Sequence, residues 1–565
     1  MKTKYLWVAM GLLVVLSLLL VSCSGGGTTT STTAPTSSTT APTSTTSAPT
    51  GTTSVPTTTT TNPPTSTTGP TTTATTPAGG PKRGGTLKVV IGGNPTNIGI
   101  PWEANAPTDL WFICPAVETL FRTDSKGVVT PWLASGYTIA PDYSSFTITL
   151  NKGIKFQDGT AFDATAVKYN FDQQIAAPGV TEFKNATSVE VVDQYTVKVN
   201  VKPFAPQIFS LLAVGRPGWM VSPTYAKAHT ADEMRIHPVG TGPFKFDSYT
   251  RDVSVKFTRF DGYWQSGKPY LDGVQYDIVA DNTTGVIAFR SGGEDVNYNM
   301  TPKDANDVKN MGYNVTAAPA SIYQWIPDSA NASSPWSNVD VRRAAQYAID
   351  TVAMAKAQGY GYADPYWNQV FPKGNMGYNP DIVGYPYNPA KAKELLTKAG
   401  YPNGFKTSMY QTVPPVGDLE PACQNYWAAV GIIADIKPLP GASYTQANTQ
   451  GWQNGLLRSQ SVASLGADNG YQMTTYMSTP AKQWVSLVRP PDFQDLLNKA
   501  NAEFDLAKRP ALYQAVAKNI IDTNALIIST WGGYLVAGKQ NYVKGDNIRT
   551  LWTMTWTPED AWLDK

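Results

Sequence analysis

The sequence of 565 residues is poor in histidine, cysteine and charge. Two histidines are too few for a histidine-rich metal centre, and three cysteines are too few for a zinc module or a disulfide scaffold. Charged residues make up 15%, and 44 Lys and Arg nearly balance 42 Asp and Glu, whereas nucleic-acid-binding domains carry a basic stripe. The sequence also lacks the motifs of serine hydrolases, zinc proteases and phosphate-binding loops. We therefore expect no catalysis, no nucleic-acid partner, no cofactor and no metal.

The N-terminus carries a targeting signal. Two lysines precede an apolar run over residues 5–21, which is typical of a secretory signal peptide. The run ends in Leu20-Val21-Ser22-Cys23, which resembles the lipobox of bacterial lipoproteins. The resemblance implies that residues 1–22 are a signal peptide, that lipid is attached to Cys23, and that the protein is anchored on the extracytoplasmic side of the cell membrane. A plain signal peptide or a short anchor helix is the alternative.

A low-complexity segment follows the lipobox. Residues 24–81 contain no Asp, Glu, Lys or Arg and consist mainly of threonine, serine and proline. Such a segment has little apolar surface to bury, so the entropy of ordering it is not recovered. We predict that residues 23–84 are a disordered tether, which lies outside the fold.

From residue 85 onward the patterns are those of a globular α/β chain. Alternation of apolar and polar residues predicts strands, and apolar residues at helical spacing between capping residues predict helices. The predicted strands are 145–150, 195–201, 253–257 and a buried one at 525–529, and the predicted helices are 341–359, 388–400, 493–500 and 512–521.

Five stretches resemble, in the same order, signatures of the family 5 solute-binding proteins, which are the peptide and nickel receptors of ABC importers. The stretches are 150–160 with 166–167, 239–244, 263–274, 341–350 and 387–402. Their glycines and prolines suit tight turns, so we expect these motifs to shape the fold rather than to bind ligand.

The resemblance implies an α/β fold in the form of a two-lobed clamp of the class II periplasmic-binding-protein type, with an extra small α/β subdomain. It predicts that domain I comprises residues 85–118, 236–324 and 528–565, that domain II comprises 119–235, and that domain III comprises 325–527. A ligand in the cleft that contacts both lobes favours the closed state, so the lobes are expected to close around it.

The resemblance also suggests one ligand anchor. Peptide binders of the family hold the ligand's amino terminus with an aspartate, and the matching stretch here, 465–471, places Asp468 at that position. A carboxylate and an ammonium group in a desolvated cleft form a strong, charge-assisted hydrogen bond. Asn469 stands where the family has an aromatic residue, and an aspartate in a surface turn is the alternative.

Other candidate ligand contacts follow from their expected place beside the cleft. Aromatic side chains there supply apolar area with a polar edge. These candidates are Trp102, Asn105, Tyr323, Trp325, Trp531 and Tyr534.

The predicted function is that of a monomeric, lipid-anchored receptor that passes a solute, most often an oligopeptide in this family, to an ABC permease. A binder of oligosaccharides, or a surface receptor or adhesion protein without transport, is the alternative. Nickel is disfavoured because His229 and His237 are the only imidazoles. Whether Cys114 and Cys423 pair stays open, because the sequence gives no geometry.

Overall fold

A computed structural model describes residues 80–103, 109–124, 127–180, 182–413, 417–462, 468, 470–505, 507–548 and 556–565. The predicted signal peptide, Cys23, the tether up to residue 79 and Asn105 lie outside these residues. In the part of the chain that is described, no helix has the length and apolar character needed to cross a bilayer.

Strands are distributed along the whole described chain. In order they are β1 (Thr86–Ile91), β2 (Glu118–Thr119), β3 (Phe121–Thr123), β4 (Val129–Pro131), β5 (Ala134–Ile139), β6 (Ser145–Leu150), β7 (Ala186–Asp193), β8 (Thr196–Val201), β9 (Trp219–Met220), β10 (Phe244–Thr250), β11 (Ser254–Arg259), β12 (Gly273–Ile278), β13 (Val296–Asn297), β14 (Asn314–Pro327), β15 (Ala363–Pro365), β16 (Phe405–Thr412), β17 (Ile432–Leu439), β18 (Gly455–Val462), β19 (Ile528–Lys539), β20 (Val543–Lys544) and β21 (Trp562–Leu563).

Helices alternate with these strands. In order they are α1 (Asp109–Ile113), α2 (Ala164–Ala176), α3 (Ile208–Val214), α4 (Pro223–Ala228), α5 (Ala231–Ile236), α6 (Asn282–Arg290), α7 (Pro302–Asn310), α8 (Val339–Tyr347), α9 (Thr351–Gly359), α10 (Pro389–Lys398), α11 (Leu419–Ala428), α12 (Gly441–Gln450), α13 (Gly470–Met477), α14 (Pro491–Ala502) and α15 (Arg509–Lys518).

The largest sheet runs through both lobes, in the order β10-β11-β12-β1-β13-β19-β14-β18-β16-β17. Two long strands, β14 and β19, are antiparallel neighbours at its centre and carry the chain from one lobe to the other and back. On one side β19 pairs with β13 of the first lobe, and on the other β14 pairs with β18 of the second. The lobes are therefore joined by continuous hydrogen-bonded strands.

A separate four-stranded antiparallel sheet, β5-β6-β8-β7, lies within the predicted domain II. Its apolar side chains pack with α2 and α3 in a core that includes Phe146, Val197 and Phe171. Another core draws on β1, β12 and the C-terminal residues, and it also takes in Trp219 and Val221 from the range predicted as domain II. Two further cores cover the two faces of the second-lobe strands. The exact domain boundaries stay a prediction.

The recognised motifs build the joint between the core around β1 and β12 and the domain II region. The carboxylate of Glu118 is buried and accepts four hydrogen bonds. The donors are the indoles of Trp132 (2.9 Å) and Trp264 (3.0 Å) and the hydroxyls of Tyr263 (2.8 Å) and Thr241 (2.8 Å). Three of these donors belong to the stretches 239–244 and 263–274, which gives these motif residues a structural role.

Arg122 offsets part of the negative charge of this joint. It donates to Glu559 at 2.6 Å, lies 3.8 Å from Glu118, and covers the ring of Trp132 with its guanidinium carbon 3.4 Å from the ring centroid. Burial raises the pKa of Glu118, and the positive charge of Arg122 opposes that rise. The joint thus holds two carboxylates around one arginine.

Most predicted elements lie close to observed ones. The strand predicted at 145–150 is β6, and the predicted N-cap Asn388 accepts a hydrogen bond from the Lys391 amide at 2.9 Å. Gly400, just after α10, has a φ of 91°, which glycine adopts without strain.

Two predicted elements differ from the structure. The predicted helix 341–359 is divided into α8 and α9, because Asp350 leaves helical geometry and caps the second helix by accepting from the Ala353 amide at 2.9 Å. The predicted strand 525–529 begins only at Ile528. The preceding residues close a helix instead: Ala525 has a φ of 43°, and the Leu526 amide donates to the Ile520 carbonyl at 2.8 Å.

Candidate ligand-binding site

The carboxyl ends of β16, β17 and β18 meet at one edge of the second lobe, because β16 runs parallel to both of its neighbours. In open α/β sheets ligands bind outside the carboxyl ends of parallel strands. A cavity of about 270 Å³ lies at this edge, lined by Thr412, Tyr444, Asn448, Arg458, Ser459, Gln460 and Tyr476.

Arg458 is the charged residue of this cavity. Its side chain is only 9% exposed, its Nε lies 3.1 Å from Oε1 of the buried Glu420, and its Nη2 donates to the hydroxyl of Thr412. A buried guanidinium is tolerated only when it is paired. Glu420 supplies that charge, so the site is close to neutral and still presents guanidinium N–H groups, which match a carboxylate well.

Tyr323 and Trp531 form an aromatic pair beside the arginine. Their ring centroids are 4.8 Å apart and the rings meet edge to face. Tyr323 on β14 is paired with Gln460 on β18, which lines the cavity. Burial raises the pKa of Tyr323, so its phenol stays protonated and offers a hydroxyl. Tyr323 is therefore near Arg458, and Trp531, which is only 5% exposed, lies against Tyr323.

The remaining aromatic candidates lie elsewhere. Trp325 is fully buried, and its indole donates to the sulfur of Cys423 at 3.4 Å, so it is a core residue in this structure. The hydroxyl of Tyr534 donates to Asp364 at 2.6 Å. Trp102 packs edge to face against Tyr169, with centroids 6.3 Å apart.

Asp468 is buried and already carries a partner. Both of its oxygens accept from Nη2 of Arg509, at 2.9 and 2.7 Å, and one also accepts from the Gly470 amide at 2.8 Å. Arg509 is itself fully buried. A ligand ammonium at Asp468 would therefore join an existing ion pair, and the anchor role stays a prediction.

Sequence reasoning did not single out Arg458, Glu420 or Tyr444. One signal was available: β18 reads Gly-Leu-Leu-Arg-Ser-Gln-Ser-Val, with an arginine in an otherwise uncharged strand. A charge within a strand that has buried neighbours needs a specific partner or a function. Its partner Glu420 lies on α11, which only the fold brings near.

Cys114 and Cys423 are free, buried thiols that belong to different cores. Burial raises the pKa of each to about 12. In the described residues no group of His, Cys, Asp and Glu side chains is arranged to hold a metal ion.

The pattern of the bacterial extracellular solute-binding proteins, family 5 Middle, matches residues 128–483. The chain belongs to this family. Proteins of the family are binding proteins, and the predicted membership and the predicted two-lobed α/β fold are thereby confirmed.

Relatives and solved structures agree with this membership. The glutathione-binding protein GsiB of Shigella flexneri serotype 5b is 35% identical over 331 residues, which is 57% of this chain and 63% of GsiB. The chain thus spans less than two thirds of the length of the curated relatives it matches.

Two solved structures cover most of the chain. DppA from Helicobacter pylori, in complex with the peptide STSA, superposes with a TM-score of 0.70 at 24% identity, over 86% of this chain and 99% of DppA. AgaA in complex with agropinic acid, from A. tumefacien R10, superposes with a TM-score of 0.69 at 25% identity, over 85% of this chain and 99% of AgaA.

Proposed function

We propose that this family member captures a small peptide or peptide-like solute at the carboxyl edge of β16 and β18 and delivers it to an ABC permease. The observation that carries the proposal is the cavity with a nearly buried arginine beside an aromatic pair. Arg458 is suited to the ligand's carboxylate, and Tyr323 and Trp531 to its side chains or amides.

The ligands in the names of the relatives support a carboxylate-bearing solute. Glutathione and the peptide STSA each have a terminal carboxylate and an ammonium group, and agropinic acid is named as an acid. Asp468 is the proposed contact for the ammonium group, through the ion pair that it forms with Arg509. In this proposal Asp468 and Arg458 bind the two ends of a zwitterion, its ammonium and its carboxylate, by charge-assisted hydrogen bonds.

We also propose that the protein works outside the cytoplasm as a lipid-anchored monomer. The family description as extracellular proteins and the lipobox-like residues before Cys23 support the location and the anchor. Mass spectrometry of the protein from membranes should find an N-terminal, acylated Cys23. An unmodified N-terminus, or one at another residue, would exclude the anchor.

Calorimetry tests the ligand class. The purified protein is titrated with glutathione, Met-Leu, Ser-Thr-Ser-Ala and glucose, and at least one peptide should bind while glucose gives no heat. Arg458→Lys keeps the charge but loses the planar fork, so the affinity should fall about tenfold. Lys539→Arg is the matched control, because it changes the cation of another buried ion pair, with Asp546 at 2.9 Å, outside the cavity.

The results of these titrations distinguish the proposal from its alternatives. Unchanged peptide affinity in Arg458→Lys would remove the assigned role of Arg458. Native mass spectrometry of the protein as purified provides an independent reading, because a tightly bound solute is retained. Binding of glucose with no peptide binding would favour the oligosaccharide alternative.

A further inference from the structure

A second and larger cavity, of about 660 Å³, lies between segment 182–211 and a second wall formed by Thr449 and segment 474–483. It is distinct from the cavity at Arg458. Helices α12 and α13 border both, but Asn448 and Tyr476 line the first cavity whereas Thr449 and Thr475 line the second. A volume of this size is typical of small-molecule sites.

The two walls of this cavity differ in chemistry. The wall from segment 182–211 is mainly apolar, with Val201, Pro203, Phe204, Ile208 and Leu211. The opposite wall carries the hydroxyls of Thr449, Thr474, Thr475 and Ser478.

Three of these hydroxyls are already used as donors, because they bond to carbonyls in their own helices: Thr449 to Thr445 at 2.8 Å, Thr474 to Gly470 at 2.7 Å and Ser478 to Thr474 at 2.5 Å. An occupant therefore meets one apolar wall and one polar wall.

Two lysines contribute to the lining, Lys184 from one wall and Lys482 from the other. Both lysines are exposed; partial burial and the neighbouring ammonium group of Lys482 lower the pKa of Lys184. The acidic residue that lines the cavity, Glu182, is bonded to Arg216 at 2.7 Å. Among the described residues neither lysine forms an ion pair. Two adjacent positive charges without a counter-charge repel each other, and an anion between them would relieve this repulsion.

We propose that this cavity binds an amphipathic anion, whose carboxylate or phosphate group lies between Lys184 and Lys482 and whose apolar body packs on Phe204, Ile208 and Leu211. The occupant would contact both segments and so stabilise the arrangement in which they meet. An aromatic contact borders the cavity: Phe504 stacks on Tyr143 at 3.9 Å and lies 5.4 Å from Phe204. This site does not depend on the proposed function of the Arg458 cavity.

Calorimetric titration of the purified protein tests the proposal with four probes: decanoate, decyl phosphate, decyltrimethylammonium and acetate. Decanoate or decyl phosphate should bind, decyltrimethylammonium should not because its charge is repelled, and acetate should not because it lacks the apolar body. Lys184→Ala and Lys482→Ala should each weaken binding of the anionic probe about tenfold, as expected for the loss of one charge-assisted contact.

Two control variants locate the site. Lys168→Ala removes a half-buried lysine of α2 that pairs with Asp172 at 2.8 Å and does not line the cavity, and it should leave the affinity for the anionic probe unchanged. Arg458→Lys should also leave it unchanged, which distinguishes this cavity from the other. Melting curves establish that each variant is folded.

The proposal is overturned if neither anionic probe binds, if the cationic probe binds equally well, or if both lysine variants bind the anionic probe as the wild type does. Loss of binding in Arg458→Lys would assign the probe to the other cavity and would also overturn it.

Discussion

Replacing Glu118 tests most directly whether its carboxylate holds together the joint beside the domain II region. Its buried carboxylate accepts four hydrogen bonds from side chains that lie as far apart in the chain as Trp132 and Trp264. Glu118→Gln keeps the size and shape of the side chain but replaces one acceptor oxygen by an NH₂ donor. That group would face donors instead of accepting from them.

The magnitude follows from the number of bonds lost. An amide oxygen can serve two of the four donors, so two buried donors lose their acceptor, at about 1.5–3 kcal/mol for each bond to a charged group. The neutral amide is buried at less cost than the carboxylate, whose pKa is raised by burial. We therefore expect the free energy of unfolding to fall by about 3 kcal/mol.

Urea denaturation of the purified protein measures this change, with tryptophan fluorescence as the probe because two indoles bond to Glu118. The matched control is Glu190→Gln, a carboxylate that is 54% exposed and lies 3.7 Å from Lys198, where we expect less than about 0.5 kcal/mol. A loss in Glu118→Gln no greater than that of the control would refute the assignment of this joint.

Three further predictions concern buried or half-buried groups. The pKa of Glu294 is raised to about 7, first by burial and then by Asp277. Its contribution to the free energy of unfolding is therefore complete below about pH 4.5 and is lost as the pH rises through about 7. We expect a loss of about 1 kcal/mol after allowance for its partial exposure. Glu294→Gln should flatten this part of the curve of unfolding free energy against pH. Cys114 and Cys423 should not react with a thiol reagent at pH 8 until the protein unfolds, and fast reaction of either in the native state would contradict their burial. Arg342 donates to the carbonyls of Trp336, Ser337, Asn524 and Ala525. Arg342→Ala should therefore lower the free energy of unfolding by about 3 kcal/mol in urea denaturation. An unchanged free energy of unfolding would contradict the stabilising role of these four hydrogen bonds.

Much of the fold could be predicted from local sequence, because the deciding interactions are local. The helix after Asn388 has its cap, its proline at the first position and its closing glycine within a few residues of one another. The break at Asp350 and the late start of β19 were not predicted. Both depend on the hydrogen bonds of single backbone groups, and the spacing of apolar residues does not predict those hydrogen bonds.

Less of the candidate site than of the fold could be predicted from the sequence. Aromatic residues were selected for their expected place beside a cleft, but nearby positions on one strand differ in their exposure and contacts. Tyr323 lies near Arg458, while Trp325, two residues later, is fully buried beside Cys423. Both side chains pack against the core that includes α11, but only Trp325 is completely enclosed by it, which depends on packing and not on residue type.

The sequence by itself determined the class of protein: five motifs in the family order resemble those of solute-binding proteins, and they are legible because turn chemistry acts locally. Only the tertiary structure decided where charge is buried. Arg458 meets Glu420, and Asp468 meets Arg509. Residues far apart in the chain acquire such partners only when the folded chain removes water between them, since burial makes an unpaired charge costly and a paired one specific.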